Sequence, residues 1–529
     1  MPRLPISAVL LLLSLCIPSC NKIDKQRIMS FPKTDLTQEY LIPKPLNISP
    51  FHGGFALDQF TVIHIEQEFE GAVVFANFLA DQIQLKTGLT LPVNVEESSY
   101  SGTVVFIGRS RDSSVRGPEA YELMIKSDSL LISANATEGV FRGIQTLRQL
   151  IPAVSNDTVA PHQIWVIPTG KIVDKPRFDY RGTMLDVARH FFSVEDLKKY
   201  IDVLAYYKFN FLHLHLSDDQ GWRIEIKSWP KLTEIGGSTE VGGESGGFYT
   251  QEEFLEIVAY ASSRCITIVP EIDMPGHTNA ASVSYPFLNG NGKTPVLYEG
   301  TEVGFSTLDT RKDTVYAFID DVVREITALY PGPYFHIGGD ESHVTRKEDY
   351  IYFVNKVEKI VQKYDKQMIG WDETANADLD STSIVQFWAS QENLATATSK
   401  KVKVILSPAK KAYLDMKYDS ASKFGLTWAG YIPTDSAYSW DPESYLGKEY
   451  ILGIEAPLWS ETISTGSELE YLAFPRVIGY AELGWTTQEN RSWDNYRPRL
   501  AHQSHFLERM NINYYRSPLI DWTQNNGIN

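Results

Sequence analysis

Just past a series of short apolar runs, the second two-thirds of the chain carries carboxylates, histidines and tryptophans in close succession. In order these are Arg189-His190, Asp218-Asp219-Gln220-Gly221-Trp222, Asp273-Met274-Pro275-Gly276-His277 and His336-Ile337-Gly338-Gly339-Asp340-Glu341. Trp371-Asp372-Glu373, Trp388, Tyr413-Leu414-Asp415 and Trp459-Ser460-Glu461 complete the series, and no Ser or Cys nucleophile motif accompanies them. Carboxylates between aromatic walls suit glycoside hydrolysis. One acid protonates the leaving oxygen, and negative charge stabilises an oxocarbenium-like transition state. Asp340 and Glu341 are adjacent, so they cannot bracket a sugar from both sides as a conventional retaining pair does.

The elements that position these residues repeat strand, then helix. Strand-like runs are expected at 183–187, 211–216, 267–271, 334–337, 367–371, 383–388, 402–406 and 451–455, with helical periodicity clearest over 315–329. Eight such runs predict a (β/α)8 barrel over 175–529, in which chemistry sits at the carboxyl ends of the strands. A smaller α/β domain is expected over 46–174, with strands at 61–65, 103–107 and 130–133 and helices near 75–79 and 141–150. It shows no catalytic constellation.

The chain opens on Arg3 and the apolar run 8–17, followed by Pro18-Ser19-Cys20. That run is too short to span a bilayer and reads as a signal peptide over 1–19. Cys20 reads as a lipoprotein acylation site and residues 20–45 as a tether. An exported, membrane-anchored protein of the periplasm or cell surface is expected, touching the membrane only through the lipid on Cys20. Cys265 is then the sole remaining cysteine and no disulfide is expected. A net charge of -17 argues against nucleic acid as a partner. The sequence leaves the oligomeric state open.

Four long segments resemble one family. Arg181–Phe192, His213–Trp222, Glu271–His277 and His336–Glu341 look like family-20 β-N-acetylhexosaminidases, and Glu119-Ala120-Tyr121-Glu122-Leu123 extends the likeness into the small domain. The resemblance implies an exo-acting retaining hydrolase of terminal β-linked GlcNAc or GalNAc, with a glycan as substrate. Its nucleophile would be the substrate's own acetamido oxygen, which forms an oxazolinium intermediate. Glu341 would then be the general acid and later the base, Asp340 would hold the acetamido N–H, and Tyr413 would donate to the acetamido oxygen. Trp371, Trp388 and Trp459 would wall the sugar, while Arg189, Asp415 and Glu461 would bind its hydroxyls. Charge-assisted bonds of that kind contribute about 1.5–3 kcal/mol each. Asp218 and His277 would form a supporting network, with His336 behind it. The matching motifs belong to a metal-free family and no His-Glu-x-x-His pattern occurs, so neither metal nor cofactor is expected. Two other readings are a lacto-N-biosidase-like relative and a catalytically dead sugar-binding lipoprotein.

Overall fold

The computed structural model of the protein describes residues 33–95, 102–152 and 164–523. The expected leader, Cys20 and the first part of the tether lie outside them.

The amino-terminal part is a seven-stranded mixed sheet. Its strands are β1 (Asn47–Leu57), β2 (Val62–Ile65), β3 (Val93–Asn94), β4 (Val104–Arg109), β5 (Tyr121–Ile125), β6 (Ser129–Ala134) and β7 (Trp165–Asp174). They run in the order β1-β7-β5-β6-β4-β2-β3. Helices Val73–Thr87 and Thr137–Leu150 lie side by side on this sheet, with Phe75 and Phe78 5.1 and 5.5 Å from Phe141. β2, β4, β6 and both helices fall where hydrophobic periodicity places them. β1 and β7 escape that reading because Pro50, Gly53 and Gly54 in one strand and Pro168 and Gly170 in the other break the alternation.

The catalytic part is a closed barrel of eight parallel strands. These are β8 (Tyr180–Asp186), β9 (Phe211–His215), β10 (Thr267–Glu271), β11 (Tyr334–His336), β12 (Gln367–Trp371), β13 (Ile384–Phe387), β14 (Lys403–Leu406) and β15 (Ile451–Leu458). Each of the eight expected runs overlaps one of them. Along β9, outward Leu212 and Leu214 alternate with Phe211, His213 and His215. Phe211 stacks on Tyr180 at 4.2 Å and packs with Tyr334 at the barrel's base. The lower barrel is thus sealed by aromatic and aliphatic side chains, and its polar residues lie toward the carboxyl ends. Capping boxes at Ser193, Thr250 and Thr465 start three of the surrounding helices, each such cap contributing about 0.5–2 kcal/mol.

The two parts share a buried polar seam. Glu119 accepts from Arg142 Nε (2.8 Å) in the small domain and from Arg181 Nη2 (2.5 Å) on β8. Asp174 accepts from Lys208 Nζ (3.2 Å) and from the Trp485 indole (3.0 Å). A groove of about 600 Å3 on the small domain's sheet is lined by Glu66, Glu122 and Lys171, among others. Lys171 there pairs with Glu122 (2.9 Å) and Asp112 (3.1 Å). That groove contains none of the residues of the site below.

Candidate active site

Glu271, at the end of β10, organises the floor. It accepts from the Trp371 indole (3.0 Å) and pairs with His213 (3.0 Å) and His215 (2.5 Å). Burial alone would raise its pKa, but His215, His336 and His213 outweigh that and hold it well below the usual carboxylate range. From His215 a line of contacts climbs to the catalytic pair. His215 Nε2 is 2.8 Å from Asp218 Oδ2, Asp218 Oδ1 is 3.1 Å from His277 Nδ1, and Arg189 Nη2 is 2.9 Å from Asp218 Oδ2. Burial disfavours charge on His277, yet Asp218, Asp340 and Asp273 overcome it and lift its pKa well above the ordinary value. His277 Nε2 then faces Glu341 Oε2 at 3.6 Å and Asp340 Oδ2 at 3.7 Å.

The turn after β11 aims the pair. Gly338 has φ +66° and Gly339 φ +99°, conformations that glycine adopts without a steric penalty. Burial pushes the His336 pKa below its ordinary value against the pull of Glu271, and its Nδ1 accepts from Gly338 N (3.0 Å). Asp273 Oδ1 accepts from Gly339 N (3.0 Å), and a Cβ on Gly338 would lie 1.9 Å from that oxygen. Glu341 itself holds φ +45° and His277 φ +53°. Non-glycine residues in this region cost about 1–3 kcal/mol and persist where the surroundings over-determine them.

The two carboxylates differ in setting. Asp340 is buried, and burial together with the neighbouring Asp273 and Glu341 raises its pKa well above the usual range. Glu341 is more open. Burial pushes its pKa up, but the His277 imidazolium beside it more than offsets this and holds it below the ordinary value. The two settings therefore push the pair's proton affinities apart, Asp340 upward and Glu341 downward.

Aromatic rings form the wall beside Asp340. Trp371 lies 5.8 Å from Trp459, and Tyr413 lies 6.3 Å from Trp459 and 6.4 Å from Trp388. Beyond them, both carboxylate oxygens of Asp415 and Oε2 of Glu461 are buried without a hydrogen-bond partner among the described residues, as is Asp340 Oδ1. Buried acceptors of this kind are costly unless a ligand supplies donors. Sugar hydroxyls and an amide N–H are such donors. The structure thus gathers Arg189, Asp218, His277, His336, Asp340, Glu341, Trp371, Trp388, Tyr413, Asp415, Trp459 and Glu461 at one end of the barrel.

Comparison with known proteins fits this arrangement. The model described as "Glycosyl hydrolase family 20, catalytic domain" matches residues 178–349 and 342–488, and "Glycosyl hydrolase family 20, domain 2" matches residues 38–175. The chain belongs to glycosyl hydrolase family 20. It is a glycoside hydrolase. A β-N-acetylhexosaminidase of Cellulomonas fimi is 36% identical over 91% of this chain and 97% of its own length. A family-20 β-N-acetylhexosaminidase of Streptomyces coelicolor A3(2) superposes with TM-score 0.87 at 45% identity, covering 92% of this chain and 99% of that one. A mutant Streptomyces plicatus β-hexosaminidase in complex with its product GlcNAc does so with TM-score 0.87 at 44% identity, covering 93% and 99%.

Several contributors were given no role from the sequence, although Asp372 and Glu373 stand in the strand-end series. Asp372 accepts from the backbone N–H groups of Trp388 (3.1 Å), Ala389 (2.9 Å) and Ser390 (3.0 Å), and Glu373 accepts from the Trp388 indole (3.1 Å). Together they fix the Trp388 ring. Their place directly after Trp371 at a strand end was the available signal. Trp428, 57% exposed, stands edge-on to Tyr413 at 5.7 Å and to Trp388 at 6.1 Å, at the mouth of the pocket. It lies on a long loop after β14, where no strand end drew attention to it.

Proposed function

We propose that this chain is an exo-acting β-N-acetylhexosaminidase that releases terminal, non-reducing β-linked GlcNAc or GalNAc with retention of configuration. One observation carries the reading. A buried Asp340 sits inside a Trp/Tyr enclosure while its neighbour Glu341 opens toward the mouth. An acetamido group fits the first setting and a leaving oxygen the second.

In the first step the acetamido oxygen forms a bond to the anomeric carbon as the glycosidic bond breaks, and Glu341 gives its proton to the leaving oxygen. Asp340 accepts the acetamido N–H and balances the positive charge of the oxazolinium ring, and the Tyr413 hydroxyl donates to the acetamido oxygen. Water then attacks the anomeric carbon, its proton passes to Glu341, and the ring's C–O bond opens. The first step needs a proton on Glu341. Substrate favours that state, because an amide donor and developing cation stabilise ionised Asp340, while the covering sugar strips water from Glu341 and raises its pKa. Enclosure by the tryptophans holds the acetamido oxygen in near-attack geometry.

Buried Asp415 and half-buried Glu461, whose Oε2 is enclosed, favour a single-sugar pocket over one for a disaccharide. An aryl β-N-acetylglucosaminide assay tests the proposal. Turnover of that substrate with an inert aryl β-glucoside supports it, and no turnover would favour a sugar-binding protein on an inactive barrel.

We also infer from residues 1–20 that the protein is exported and acylated on Cys20, in the periplasm or at the cell surface. Cys20→Ala should leave it unprocessed or soluble. Mature protein that still partitions into a detergent phase after this change would refute the anchor.

A further inference from the structure

The same pocket gathers a set of atoms suited to a metal ion. Asp273 Oδ2, His277 Nε2 and Asp340 Oδ1 are buried and have no hydrogen-bond partner among the described residues. Asp273 and His277 are only 1% and 2% exposed. Each of these residues and Asp340 offers a ligand atom within 4.8 Å of the other two. His277 Nε2 stands 3.7 Å from Asp340 Oδ2 and 3.6 Å from Glu341 Oε2. Those separations exceed a hydrogen bond. They approach the roughly 3.3 Å between two ligands that each hold zinc at about 2.0–2.1 Å in a tetrahedral shell.

The far sides of two of these groups are already fixed. Asp218 holds His277 through Nδ1, and Gly339 N–H holds Asp273 through Oδ1. A ring nitrogen bonded to a carboxylate while the other faces the ion is the usual second layer around a metal-bound histidine. Binding would release the Nε2 proton of the His277 imidazolium, and the divalent cation would take over the positive charge that the imidazolium holds among these carboxylates. Imidazole with carboxylates is a donor set that suits Zn2+, with Co2+ as a spectroscopic substitute. The Glu341 side chain is 28% exposed, so an ion can enter by the mouth that admits substrate.

We propose that Asp273, His277 and Asp340, with Glu341 closing the shell, form an inhibitory site for a divalent cation of the zinc class. The proposal rests on the catalytic reading of Asp340 and Glu341 given above. A cation there occupies the carboxylate that receives the acetamido N–H and the carboxylate that carries the transferable proton. Ion and substrate therefore exclude each other.

The test uses full-length, chelator-treated enzyme. Co2+ titrated without substrate should give visible d–d bands that saturate at one ion per chain and disappear when a thiazoline mimic of the cyclic intermediate is added. Zn2+ should raise the apparent KM and leave kcat unchanged. Asp273→Asn, compared with its own metal-free rate, should need about 10-fold more Zn2+ or beyond, at least what loss of a partner around a metal costs. Bands that persist under saturating thiazoline, no inhibition at millimolar Zn2+, or undiminished Zn2+ sensitivity in Asp273→Asn would overturn the proposal. Should that variant fail to fold, the thiazoline competition on the unaltered enzyme decides. Failure of metal-free enzyme to cleave the aryl glycoside would instead strike the catalytic reading, and the Co2+ titration would still report on the site.

Discussion

Gly338→Ala adds one methyl group and should disable the enzyme while leaving the barrel folded. The backbone there has φ +66°, which costs an L-residue about 1–2 kcal/mol. The new Cβ would start 1.9 Å from Asp273 Oδ1, and an ordinary contact needs at least 3.4 Å, so turn and carboxylate must part by about 1.5 Å. That movement breaks the Gly339 N–H to Asp273 bond, and a buried group left unpaired costs about 1–3 kcal/mol more. The total of about 2–5 kcal/mol lowers the melting temperature measurably. Asp340 and Glu341 directly follow this turn, and a misplacement of about 1 Å is enough to cost roughly 10²-fold in rate. The assay is kcat/KM on an aryl β-N-acetylglucosaminide, with circular dichroism and thermal unfolding to confirm the fold. A folded Gly338→Ala enzyme within threefold of the unaltered rate would refute the claim that this turn sets the catalytic pair.

Three further outcomes are expected. Glu341→Gln keeps the shape but cannot deliver a proton, so kcat should fall by about 10²–10⁴ on a natural disaccharide, and less in the first step on substrates with good leaving groups. Near-normal turnover of the disaccharide would remove Glu341 from this role. Tyr413→Phe loses one directed hydrogen bond and should slow the acetamido step by about tenfold, the effect of roughly 1.4 kcal/mol. Unchanged kcat would place the hydroxyl elsewhere. The pH profile of kcat/KM should be bell-shaped, with both limbs belonging to the pair. The acid limb falls below pH 4.5, where Glu341 takes a second proton, because the pKa of Glu341 is held under its ordinary 4.5. The alkaline limb marks loss of the last proton, which burial and Asp273 raise well above the Asp value of 3.8. In Asp340→Asn only Glu341 can hold that proton, so the alkaline limb should move toward acid. An alkaline limb that stays put would contradict the shared proton.

The barrel was legible because parallel strands buried on both faces read as short apolar runs, and each run here ends on polar residues with no other evident purpose. The candidate site's positions were legible from the same strand ends, while the roles given to its residues came from the family resemblance. Trp388 falls just past β13 and Glu461 just past β15, whereas Asp415 lies nine residues beyond β14, after the short helix Ala409–Ala412. What the sequence concealed is pairing between distant segments. That Glu271 collects Trp371 and three histidines, or that Glu119 in the small domain bonds Arg181 on β8, depends on register and closure, which local periodicity does not encode. The setting of each carboxylate was hidden as well. Asp340 and Glu341 are neighbours in sequence, yet one is buried beside Asp273 and the other is open beside His277, and only the fold makes that distinction.

The central claim is that an atom of the substrate, not a second carboxylate of the enzyme, attacks the anomeric carbon. The most direct measurement is kcat for a series of aryl β-N-acetylglucosaminides whose acetyl methyl carries successively more fluorine. Fluorine withdraws electrons from the amide oxygen with little change in the size of the group. If that oxygen is the nucleophile, kcat falls steeply along the series, and a 2-deoxy-2-fluoro glycoside leaves no sugar attached to the protein. A rate insensitive to fluorination, together with a stable glycosyl adduct on Asp340, Glu341 or another carboxylate, would show a conventional double displacement and contradict the account.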